Sequence, residues 1–154
     1  MYHYRECGLD NVWLSNGYKV KETNYGEAVT VVDVDGLVAA LALNLTEKKG
    51  QLTGKEFRFL RLWLCMSQEG IARLMSVQEQ SVSLWERTGR VTKSGDTLVR
   101  LLVLERLNGD GKIEEIISRI NTVERLVSQK IVARATQHKW TAKVRTEKQD
   151  ALAA

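Results

Sequence analysis

Proline is absent from the 154 residues, where ordinary usage of about 5% would place roughly eight. No helix is therefore stopped by ring sterics, and glycine has to supply the breaks. Cysteine is scarce: Cys7 and Cys65 stand far apart, without the CxxC pairs or histidine neighbours that zinc requires. A reducing cytosol disfavours a bridge between them, so both read as packing or incidental thiols, and no metal or other cofactor is expected. With His3 and His138 the only histidines, acid–base options are few. Paired carboxylates, a Ser-His-Asp set and a glycine-rich phosphate loop are also missing from the sequence, so catalysis is not expected. No apolar run approaches the roughly 18 residues that span a bilayer, and the first residues lack a secretory hydrophobic region. A cytoplasmic protein without a membrane partner is the expectation.

What is present is ordinary for a folded chain: 44% hydrophobic and 27% charged residues. The net charge of +4 is unevenly placed. Residues 1–52 hold five Lys/Arg against seven Asp/Glu, whereas residues 53–108 and 109–154 each hold nine against six. The basic excess thus lies beyond residue 52 and hints at a polyanionic partner. Glu47-Lys-Lys-Gly-Gln51 is polar and carries a glycine, which puts a boundary near Leu52. Three segments are expected: a small β/α domain over 1–52, a helical domain over 53–108, and an extension over 109–154. The fold class is α+β.

In the first segment, Tyr18–Thr23 and the β-branched run from Ala28 read as strands joined through Asn24-Tyr-Gly26. Leu37, Ala40, Leu41 and Leu45 then share a helical face. Tyr2, His3, Tyr4, Trp13 and Tyr18 make the opening aromatic-rich. Such residues form either a partner surface or the core of a small sheet, and core is the preferred reading. A metal or catalytic role for His3 is not expected.

The middle segment resolves into short helices. Thr53 and Glu56 have capping-box spacing ahead of a helix over 54–65, in which Phe57, Leu60 and Leu64 form the buried stripe and Lys55, Arg58 and Arg61 stay solvated. Ser67 can cap a second helix over 68–75, with Ile71, Ala72 and Met75 facing inward. After Ser76-Val77 a third carries Val82 and Trp85 inward and stops at Thr88-Gly89. Two short helices across a tight turn make a helix-turn-helix, which holds its second helix proud of the surface for a DNA major groove. Leu98, Leu101, Leu102 and Glu105 continue as a packing helix.

The run Met66-Ser-Gln-x-x-Ile-Ala-x-Leu-Met-Ser-Val-x-x-Gln-Ser-Val-Ser-x-Trp-Glu-Arg resembles the Xre family of phage-repressor-like helix-turn-helix regulators. That resemblance implies base contacts from Glu79, Gln80, Ser83 and Leu84, and backbone contacts from Gln68, Ser81, Arg87, Arg90 and Lys93, with Arg100 in a supporting place. The chemistry suits it: Gln80 can pair with adenine N6/N7, Glu79 can accept from cytosine N4, and Leu84 can meet a thymine methyl. The competing reading is a merely solvated helix face. The sequence departs from the family at Ser76, where glycine is common, at Gln78, where Ser or Thr usually caps, and in having no proline after Gly89.

A small β/α unit ahead of such a domain is similar to the layout of MqsA/YgiT-type antitoxins. Their two CxxC zinc pairs are reduced here to Cys7 in Glu-Cys-Gly, so zinc is not carried over. The resemblance implies a homodimeric autorepressor reading double-stranded DNA at a palindromic operator. The alternative is an antitoxin or interaction protein that neutralises a toxin-like protein partner through residues 1–52. In the extension, Ile113, Ile116, Ile117 and Ile120 form an amphipathic stripe that either completes the core or makes a dimer surface. Val123 to Ile131 read as continued helix. Arg134, His138, Lys139, Trp140, Lys143, Arg145 and Lys148 make a basic tail, expected to be disordered beyond about residue 135, that either grips nucleic acid or only solubilises.

Overall fold

Each break in the chain has a local cause, and the order of the breaks sets the architecture. The computed structural model describes residues 1–109, 115 and 130–145. It divides into two compact units, Met1–Ser118 and Arg119–Ala154.

In the first unit two short strands, β1 (Tyr2–His3) and β2 (Trp13–Leu14), pair antiparallel. A longer hairpin follows, β3 (Tyr18–Thr23) against β4 (Gly26–Val31), in the register Tyr18↔Val31 to Thr23↔Gly26. The expected connection at Asn24-Tyr-Gly26 holds, and Gly26 takes a left-handed φ of 112° that a side chain would oppose. Helix α1 (Val34–Thr46) is capped by the Asp33 carboxylate, which accepts from the Gly36 amide at 3.1 Å. Its buried residues are Ala42 and Leu45, with Leu37, Val38 and Leu41 half-buried. Ala40, expected on that face, is exposed, because α1 lies against both α2 and α5 and its contact stripe is rotated to meet them.

Four helices complete the unit: α2 (Gly54–Trp63), α3 (Gln68–Met75), α4 (Glu79–Thr88) and α5 (Lys93–Asn108). The capping box at α2 is complete, with Thr53 Oγ1 accepting from the Glu56 amide and Glu56 Oε1 accepting from the Thr53 amide. Burial pushes the Glu56 carboxyl up, but hydrogen bonds from the Lys48 ammonium and from Thr53 outweigh it and hold the pKa below the ordinary glutamate value. Phe57, Leu60 and Leu64 are buried as expected, and the Phe57 ring meets Trp85 edge-on at 5.7 Å. Five helices with small antiparallel strand pairs, among the described residues, make this an α+β fold.

Several expectations are corrected. Leu52 is no domain boundary: it is 1% exposed, its amide donates to Asp96 Oδ2 at 2.7 Å, and residues on both sides of it share one hydrophobic cluster. Arg100 adds to that seam by donating to the carbonyls of Lys48 and Gly50, each at 2.6 Å, with its Nε 2.7 Å from Asp96 Oδ1. It is thus occupied inside the protein, rather than free for a DNA backbone. Arg61 is buried instead of solvated. On α5 the buried hydrophobic residues are Val99, Leu102 and Val103, while Leu101 is exposed. The aromatic opening is split: Tyr4 is buried, Tyr2 and Tyr18 pack at 5.5 Å half-buried, and Trp13 is exposed with His3 stacked on it at 4.1 Å.

In the second unit the chain forms a β-hairpin, β5 (Lys130–Thr136) against β6 (Lys139–Arg145). The expected helix is therefore corrected at Lys130 and Ile131, and the expected disorder over residues 136–145; the remainder of both expectations, at 123–129 and 146–154, lies outside the described residues. The turn residues Gln137 and His138 have φ of 34° and 78°, the positive values a two-residue hairpin turn needs. The alternation of Val, Ala and Trp with Arg, Thr and Lys has period two, which a strand satisfies and a helix does not. Of the stripe over Ile113 to Ile120, only Glu115 falls among the described residues, and it is helical; the four isoleucines lie outside them.

Candidate nucleic-acid interface

The turn between α3 and α4 is built without glycine. Ser67 Oγ accepts from the Gly70 amide at 2.9 Å and starts α3. Ser76 ends it in the left-handed region, φ 56° and ψ 39°. The Val77 amide reaches the Ala72 carbonyl at 3.0 Å and the Ser76 amide reaches that of Arg73 at 3.2 Å, which satisfies two orphan carbonyls of the helix end. Ala72 is 2% exposed, and its small side chain lets α3 and α4 approach. Helix α4 then follows the N-cap residue Gln78, whose side chain makes no cap hydrogen bond, so the first amides of α4 have no side-chain partner from that residue. Gly89, at φ 73°, closes the other end.

Val82 and Trp85 anchor α4 in the core at 0% and 6% exposure. A polar network fixes its rotation. Arg61 Nε donates to Glu86 Oε1 at 2.6 Å, with both side chains 7% exposed, and Arg61 Nη1 donates to the Met66 carbonyl at 3.0 Å. Gln68 Nε2 donates to Glu86 Oε2 at 2.6 Å. One glutamate therefore joins α2, α3 and α4. Sequence reasoning overlooked this network, although a signal existed. Arg61 lies four residues after the core residue Phe57, and Glu86 four after the core residue Val82, so both sit on buried faces with opposite charge.

With α4 so held, its outward face is set. Gln68, Glu79, Gln80, Ser83 and Arg87 line one polar cleft of about 320 Å³. Leu84 is exposed on the same helix. All four residues expected to meet bases are thus on or beside one surface, as are Gln68 and Arg87 of those expected to meet the backbone. The others are not brought to this cleft. Ser81 is half-buried and outside its lining, Arg90 is exposed just past the end of α4, and Lys93 opens α5 at the rim of a larger groove. That groove, about 630 Å³ between the α1–α2 connection and α5, is bordered by Lys48 and Arg100. Both cations are engaged already, with Glu56 and Asp96, so it offers less to an anion than its size suggests.

Chemically the cleft presents amide, hydroxyl, carboxylate and guanidinium groups on a rigid helix, the set that reads base edges and phosphates. Among the described residues, no group of three His, Cys, Asp or Glu side chains is placed to hold a metal ion, and Cys7 and Cys65 are unbridged. No helix among them is long and apolar enough to cross a membrane. No protein-family model matches the chain, and neither a curated protein nor a solved structure matches it.

Proposed function

We propose that the protein is a sequence-specific regulator of transcription that binds double-stranded DNA, acting as a homodimeric autorepressor on a palindromic operator. The observation that supports this reading best is the α3–turn–α4 geometry, in which Gln68, Glu79, Gln80, Ser83 and Arg87 face one exposed cleft while Glu86 and Trp85 lock the helix beneath them. Helix α4 enters the major groove, and the α4 helices of two protomers meet half-sites about 34 Å apart. Gln80 reads a base, Arg87 and Gln68 hold phosphates, and Arg90 and Lys93 add sequence-independent attraction.

A binding titration of two variants tests the roles. Gln80→Ala should relax sequence preference by about 1–3 kcal/mol, whereas Arg87→Ala should weaken preferred and scrambled duplexes alike. Small, equal effects of both changes on both duplexes would sink the assignment.

The second reading, an interaction protein or antitoxin using residues 1–52, is favoured by one observation. The β3–β4 hairpin leaves Val20 and Tyr25 exposed, close in sequence to exposed Val32, and Trp13 is 57% exposed. Exposed apolar side chains over residues 13–32 offer a protein partner area to cover.

A further inference from the structure

Residues 130–145 contain five Lys/Arg and no Asp or Glu. The hairpin register sorts them by face, because directly paired residues of an antiparallel ladder share a face and successive residues alternate. Val132↔Lys143, Arg134↔Thr141 and Thr136↔Lys139 fall on one face, and Ala133↔Ala142 and Ala135↔Trp140 on the other. The end pairs Lys130↔Arg145 and Ile131↔Val144 continue the alternation in register. Among the described side chains, Arg134, Lys139 and Lys143 therefore share one face, and Ala133, Ala135, Trp140 and Ala142 share the opposite one. Arg134, Lys139 and Lys143 are exposed.

Like charges gathered on one face repel, and a polyanion lying along them removes that repulsion. The polar cleft of α4 narrows the choice of polyanion, because the amide, hydroxyl and guanidinium groups that line it suit base edges and phosphates. Double-stranded DNA is the polyanion that both surfaces of one chain can share. A bilayer fits less well: if it took the apolar face, the basic face would turn to water, and three of the four described side chains on that face are alanine, with little area to insert.

We propose that the basic face of β5–β6 is a second docking surface for double-stranded DNA, gripping phosphates without reading sequence, an inference that rests on the DNA-binding reading of α4 for its choice of polyanion. The test is an anisotropy titration of the full-length protein with a scrambled duplex between 50 and 200 mM KCl, against the triple variant Arg134→Gln, Lys139→Gln, Lys143→Gln. Removing three phosphate contacts should flatten the slope of log affinity against log salt by about 2.7, so the wild type loses about 40-fold more affinity over that range than the variant. The charge-conserving variant Arg134→Lys, Lys139→Arg, Lys143→Arg should keep the wild-type slope. An unchanged slope in the triple variant, or an equal fall in the charge-conserving one, overturns the proposal. So does co-sedimentation with vesicles of phosphatidylcholine and phosphatidylglycerol that the triple variant loses while its DNA slope stays unchanged. The two readings separate cleanly. A flattened slope without preference for any promoter duplex sinks the α4 assignment and leaves the hairpin, and intact preference with an unchanged slope does the reverse.

Discussion

Glu86 is the residue on which the proposed interface most depends, although it does not line the polar cleft. Its carboxylate accepts from Arg61 and Gln68 and so ties three helices to one orientation. Both members of the Arg61–Glu86 pair are 7% exposed, and removing one partner from a buried pair typically costs about 3–5 kcal/mol because the other charge is stranded. Glu86→Gln should therefore lower the unfolding free energy by about that amount in a urea titration. Replacing Arg61 and Glu86 together by apolar residues of similar volume should recover most of the loss. A Glu86→Gln protein as stable as the wild type would show that the pair does not hold α4. Residue-level reading of the sequence failed here for a physical reason. Periodicity sorts residues into buried and exposed by polarity, and a charge neutralised by a partner from another helix breaks that rule.

At the level of elements, helix starts and stops were legible because each rests on local chemistry. The Thr53 capping box, the Ser67 cap and the Gly89 stop are where spacing puts them. Contacts between elements were not legible to the same degree. Gly54 shows why: a Cβ there would lie 2.2 Å from the Glu86 carbonyl oxygen, so the start of α2 abuts the backbone of α4. Nothing in the local pattern around a helix-starting glycine reveals that approach. Gly54→Ala should push the last turn of α4 aside and destabilise the fold by about 1–3 kcal/mol, the usual effect of overpacking. Thermal melts check the loss, and a neutral or stabilising effect would contradict this packing of α2 against α4. The β5–β6 hairpin was missed for another reason. Its basic and small residues read as a solvated tail by composition, and composition carries no trace of the period-two alternation that makes it a strand pair.

Over the whole molecule, the boundary expected at Leu52 is replaced by a seam that Leu52, Asp96 and Arg100 close, so residues 1–52 and the helix-turn-helix belong to the same compact unit. The central claim remains that this unit presents α4 to a specific DNA sequence. The most direct measurement is an anisotropy titration of the purified protein against its own upstream DNA and a scrambled duplex of the same length, repeated across a salt series. A preference of about a thousandfold or more for its own upstream DNA, with affinity falling steeply as salt rises, is the predicted result. Equal, weak binding to both duplexes would contradict it.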